Sequence, residues 1–124
     1  MVFVDLMNTA LESPIKISIA EARDEVKRSA DQWAELLKYG EALVGLYAPK
    51  GEDTQTPHDQ DEVYIVSRGS GKFRRGAEVV PFVTGDVLFV AAHVPHRFEH
   101  FSDDFETWVV FFGPKPDERH ATAA

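Results

Sequence analysis

The chain has 124 residues, 44% hydrophobic and 27% charged, the balance of one globular domain with a buried core. A formal net charge of −8, with no basic cluster beyond KFRR at 72–75, argues against nucleic acid and anionic membranes as partners. No run approaches the ~18 apolar residues that span a bilayer. The absence of cysteine removes disulfides, zinc–thiolate sites, iron–sulfur clusters and thiol nucleophiles, and fits the reducing cytoplasm expected for this chain.

The first residues, MVFVDLMNTALESP, carry acids and no basic stretch, so they do not read as a secretory leader. Residues 18–40, SIAEARDEVKRSADQWAELLKYG, read as helix. Ser18 and Glu21 fit a capping box, Ala20, Val26, Ala30, Trp33, Leu36 and Leu37 form a loose apolar stripe, and Gly40 fits the C-cap. Residues 29–31 are where this stretch can break into two helices. Trp33 and Leu37 are assigned to packing against the rest of the domain. Residues 1–40 are thus read as an N-terminal extension with a helix, 41–113 as a barrel and 114–124 as a flexible polar tail.

From Glu41 onward the punctuation is frequent. Glycines 51, 69, 71, 76, 85 and 113 separate the runs ALVGLYA, EVYIVSR, GKFRR, EVVPF, DVLFVAA, HRFEHF and TWVVFFG. Short strands at this spacing indicate an all-β sandwich or barrel. SRGSGKF and RRGAE read as tight hairpins. The tail KPDERHATAA reads as frayed, with His120 solvated.

Two stretches carry candidate chemistry. In TPHDQDEVYIV, His58 and Glu62 are four apart and share a side of an extended chain, or face each other across a short turn. In HVPHRFEH, alternation puts His96, Phe98 and His100 on one strand face and Arg97 and Glu99 on the other. A face bearing Phe98 points inward, which takes His96 inward with it. Two imidazoles and a carboxylate on one face suit divalent iron, manganese, nickel, copper or zinc with open positions. The alternative is a loop residue, a solvated strand start and a hydrogen-bonded barrel histidine.

PHDQDEVYIVSRGSGKF resembles the first motif of small single-domain cupins, and GDVLFVAAHVPHRFEHF resembles the second. Glu62, six residues and Gly69 match the first frame, with His58 at the second-histidine position. Gly85, Asp86 and His96 match the second, and FSDDFETWVVFFGP resembles the last barrel strand. The resemblance covers about residues 41–113. It implies a double-stranded β-helix (jelly-roll) barrel behind an N-terminal helical segment, and a divalent transition metal on His58, Glu62 and His96. The chain departs from the motifs at Thr56, which replaces the first histidine, at Ala91 and His93, which replace proline and glycine, and at His100, which replaces asparagine. His93, at a glycine position, is expected at positive φ. Gln60, and also Gln55 and Thr56, are side chains that could lend the missing oxygen or nitrogen donor.

Tyr64, two after Glu62, and Phe98, two after His96, are expected to wall a pocket together with Gln60 and His100. Phe73, Phe82, Phe89, Trp108, Phe111 and Phe112 are assigned to core or subunit interface. Neither phosphate-binding glycine motifs nor a serine with a histidine placed to activate it is present. The expectation is a homodimeric metal-binding barrel whose open metal positions take water and a small anionic or oxygen-bearing ligand. It would act as a dioxygenase, isomerase or decarboxylase, with a non-catalytic sensor, store or accessory subunit as the alternative. No catalytic residue is assigned.

Overall fold

The structure, a computed structural model, describes residues 13–114. The expectations for the first twelve residues and for the polar tail with His120 lie outside the described residues.

Helix α1 (Ile19–Lys27) opens with the expected capping box. The Ser18 hydroxyl accepts from the Glu21 backbone N–H, and the Glu21 carboxylate accepts from the Ser18 backbone N–H. The helical expectation holds for this segment only. Residues 33–39, WAELLKY, form strand β1 (Trp33–Tyr39), not a second helical stretch. Ser29 ends α1: its hydroxyl donates to the Val26 carbonyl and accepts from the Trp33 N–H. Gln32, at φ 62°, then turns the chain. Alanine, leucine and lysine favour helix locally, but pairing with the next strand outweighs propensities of at most ~0.7 kcal/mol per residue. Gly40, at φ 58°, sits in the β1–β2 turn instead of capping a helix.

The remaining strands are β2 (Ala42–Tyr47), β3 (Asp61–Arg68), β4 (Ser70–Arg75), β5 (Glu78–Val83), β6 (Val87–Val90), β7 (His96–Glu99) and β8 (Glu106–Phe112). They form two antiparallel sheets, β1-β2-β8-β3-β6 and β5-β4-β7, the two-layered jelly roll. RRGAE is a hairpin, with Arg75 opposite Glu78 and Gly76 at φ 60°. SRGSGKF is not. β3 and β4 lie in different sheets, and Gly69, at φ 95°, is the corner between them. A Cβ at Gly69 would stand 2.7 Å from the Phe105 Cα, so the close crossing of these segments needs glycine.

Between the sheets lies an aromatic core of Tyr64, Phe73, Phe82, Phe98 and Phe105 with Val66, Leu88, Val90 and Val109. Helix α1 covers part of the outer face of the larger sheet, where Ala22 and Val26 meet Ala34, Leu46 and Ala48. Arg23 clips it down by forking onto Glu106, its Nη2 donating at 2.8 Å and its Nε at 3.0 Å. No described helix is long and apolar enough to cross a membrane.

Candidate metal centre and its pocket

Alternation along β3 turns Glu62, Tyr64 and Val66 into the barrel and Val63 and Ile65 out. On β7 the same rule turns His96 and Phe98 inward. Glu62 is second in its strand of one sheet and His96 first in its strand of the other, and the 3.2 Å between Glu62 Oε1 and His96 Nε2 puts both at the same end of the barrel. His58 comes from the irregular segment ahead of β3. The His93 N–H donates to the His58 carbonyl at 2.7 Å, which ties the two motif loops together. His93 has the expected positive φ, 69°, and contributes backbone there.

One ligating atom from each of His58, Glu62 and His96 lies within 4.8 Å of the others. His58 Nε2 is 3.9 Å and His96 Nε2 is 3.2 Å from Glu62 Oε1. His96 Nδ1 lies 2.8 Å from the Val94 carbonyl, to which it must donate. With that proton placed, neutral His96 presents an Nε2 lone pair to a carboxylate oxygen. Both atoms are fully buried and lack a hydrogen-bond partner. Two acceptors face each other, and only a cation between or beside them, a proton or a metal ion, satisfies both. Burial pulls the His96 pKa down, but the Glu62 carboxylate and the Val94 carbonyl outweigh it and hold the imidazole above its ordinary value. The orphaned pair and the fixed tautomer therefore fit a divalent metal on two imidazoles and a carboxylate.

A cavity of about 480 Å³ opens beside the site, lined by His58 and Glu62 but not by His96. Its wall includes Trp33, Tyr47, Tyr64 and Phe111, and Asp31 and Glu35 line it from β1 and the residues just before it. The Phe111 ring meets His58 edge-on, with centroids 4.9 Å apart, and Trp33 meets Phe111 at 6.2 Å. Burial, together with the Glu62 carboxylate, keeps the Tyr64 phenol protonated well above its usual range.

Of the expected pocket residues, Tyr64 alone lines this cavity. Phe98 is 1% exposed and packs against Tyr64, Phe73, Phe82 and Phe105 in the core. His100 falls after the end of β7 at φ 50° and is exposed, because the strand alternation stops at Glu99. Gln60 turns away from the metal site: its amide donates to the Glu41 and Gly113 carbonyls at 2.7 and 3.1 Å. Of the side chains considered for the missing donor, Gln55 comes near. Its Oε1 is 3.1 Å from His58 Nε2 and accepts from the Tyr64 hydroxyl at 3.3 Å. Thr56 lines the cavity but is exposed.

Sequence reasoning missed Asp53, which is 2% exposed. Its carboxylate accepts from the Tyr47 hydroxyl, the Gln55 backbone and amide N–H groups and the Phe98 N–H. It thereby fixes the Gln55 amide so that its oxygen faces His58. No periodicity marks an acid in a polar loop as buried. Trp33 and Glu35 were missed as pocket residues because the segment read as helix; a period-two reading puts them together opposite Ala34.

Residues 43–112 match the cupin-2 family, described as the cupin domain. An uncharacterised protein of Streptomyces coelicolor is 40% identical over 95 residues, covering 73% of this chain and 90% of that protein. A cupin-2 domain protein from Shewanella frigidimarina superposes with a TM-score of 0.60 at 15% identity, covering 76% of this chain and 91% of that one. The iron(II) form of HppE, solved with an alternative substrate, gives 0.56 at 18% identity, covering 64% and 48%.

Proposed function

This chain belongs to the cupin family, and from that premise we propose that it is a metal-dependent enzyme acting on a small molecule, with the metal held by His58, Glu62 and His96. The observation that carries this reading is the buried, unpartnered pair Glu62 Oε1 and His96 Nε2, 3.2 Å apart. A divalent transition metal there would supply Lewis-acid or oxygen-activating chemistry. The protein's own part is to hold and shield it. Val94 orients His96, Phe111 supports the His58 ring, and Asp53 aims Gln55 so that its carbonyl oxygen is a fourth donor within reach. The Tyr64 hydroxyl, kept protonated, donates to that Gln55 oxygen and steadies it. Iron, the metal of the HppE neighbour, is the first to assay.

The test is elemental analysis of tag-free protein, wild type against His58→Ala and His96→Ala. Near-stoichiometric metal in the wild type and its loss from both variants is the expected result. Wild-type protein that takes up no iron, manganese, nickel, copper or zinc refutes the reading.

A second reading, a binder without turnover, has one observation in its favour. With Glu62 taken by the metal, the neighbouring buried carboxylate, Asp53, is already engaged in four hydrogen bonds and is not free to act as a base. Oxygen uptake or product formation by the metal-loaded protein with diketones, phenols or thiols supports the enzyme; saturable binding without turnover on that panel supports the binder. We further propose that two copies of the chain associate through the outer face of β3 and β6. Ile65 pairs with Val87 and Val63 with Phe89 there, and Val87 is 64% and Phe89 44% exposed.

A further inference from the structure

The cavity beside His58 and Glu62 carries acidic side chains at its outer end. Asp31 and Glu35 line it, and among the described residues no lysine or arginine does. Both acids are exposed, and neither forms an ion pair with a described residue. Trp33, Tyr47 and Phe111 stand among them. The Trp33 ring is laid across β2 because position 45 is glycine: a Cβ there would run into the ring. Glu62, 1% exposed with Oε1 unpartnered, faces the same cavity from the inner end. One end of this space thus asks for an oxygen donor on a metal, and the other presents two carboxylates and aromatic faces.

We infer that the pocket's ligand is a small organic cation, an ammonium compound whose oxygen-bearing end reaches the His58–Glu62–His96 triad. Aromatic faces attract an ammonium group through their quadrupoles, and do so more strongly when it is partly desolvated, as in a recessed pocket. Two uncompensated carboxylates add attraction for a cation and repel an anion. The inference keeps the oxygen-bearing half of the expected ligand and departs from its anionic half: away from the metal, a dianion such as oxalate would meet the Asp31 and Glu35 carboxylates and, among the described lining residues, no guanidinium or ammonium group. A volume of about 480 Å³ falls in the lower half of the range for small-molecule sites, which fits a ligand of this size. The inference rests on the proposed metal reading for the oxygen end only.

Calorimetric titration of the metal-loaded chain tests it with four probes: choline and ethanolamine, the uncharged choline isostere 3,3-dimethyl-1-butanol, and oxalate. At least one ammonium alcohol should bind about tenfold or more tightly than the neutral isostere. The Asp31→Asn/Glu35→Gln double variant should reduce that preference to about threefold or less, and Trp33→Leu should weaken the ammonium probe more than the neutral one. The inference is overturned if the neutral alcohol or oxalate binds as tightly as both ammonium probes, if neither ammonium probe binds, or if the preference survives the double variant. Metal content measured on the same samples separates the two readings. Metal-free protein that still prefers the ammonium probes sinks the triad reading alone. Metal-loaded protein without that preference sinks this one alone.

Discussion

Glu62 and His96 each place a buried polar atom where no protein group answers it. Such an arrangement costs stability in the metal-free chain, since an unsatisfied buried acceptor costs ~1–3 kcal/mol. Replacing both partners by apolar side chains of similar shape removes the conflict, whereas removing one would leave the other buried and unanswered. Glu62→Met/His96→Leu should therefore bind no metal, yet its metal-free form should be more stable than metal-free wild type by ~1–3 kcal/mol. Urea unfolding of both proteins in chelator measures the difference; a less stable variant would mean that the pair is held by contacts the orphaned atoms do not reveal. Asp53 is the contrasting buried acid. Its four donors satisfy it, so its place in the site is to fix Gln55 and the start of the inner wall, not to wait for a ligand.

Helix α1 and the strands beneath it are joined by the Arg23–Glu106 fork, which the Ser67 hydroxyl extends by donating to Glu106 Oε2 at 2.8 Å. Burial alone would raise the Glu106 pKa, but the Arg23 guanidinium and Ser67 outweigh it and hold the carboxyl below its ordinary range. A carboxyl whose folded pKa is depressed stabilises the fold fully above its unfolded pKa, about 4.3, and loses that contribution as pH falls through the folded value. At pH 7, Glu106→Gln should be less stable than wild type by ~1–3 kcal/mol, and the gap should narrow as pH drops below about 4.3. Urea titrations at pH 7, 5 and 3 follow it; a gap that widens with acid would show that the ion pair is not what binds α1 to the sheet. The same helix-to-strand boundary decides the pocket, because β1 brings Trp33 and Glu35 to the cavity while Ala34 faces α1.

At the scale of the whole molecule, the larger sheet has one face in the core and only part of the other beneath α1. The uncovered remainder carries Ile65, Val87 and Phe89, and β6 is an edge strand. An apolar edge and face of this kind are exposed to pairing unless covered. The proposed dimer predicts a light-scattering mass of about twice 13.9 kDa for wild type. Val87→Lys/Phe89→Lys should shift it to one chain, because like charges would face each other across a two-fold interface. Wild type with a single-chain mass would remove the proposal.

Much of the barrel was legible in the residues themselves. Period-two alternation and glycine spacing located seven of the eight strands, and the inward sense of Glu62, Tyr64, His96 and Phe98 follows from the strand pleat. The spacing of His58, Glu62 and His96, read with the family resemblance, named the three side chains that converge. These are local properties, set by backbone geometry and by which neighbours are apolar. Residues 33–39 were misread because their helix propensity is real and loses only to pairing with β2, which follows directly across the turn at Gly40. SRGSGKF was misread because a two-sheet corner and a hairpin share the same local signature and differ in which strands they pair with. Phe98, His100, Gln60 and Asp53 each depended on what stood opposite them. Pairing, burial and hydrogen-bond partners are relations between distant segments, so the tertiary structure alone decided which polar groups were satisfied and which were left facing the cavity.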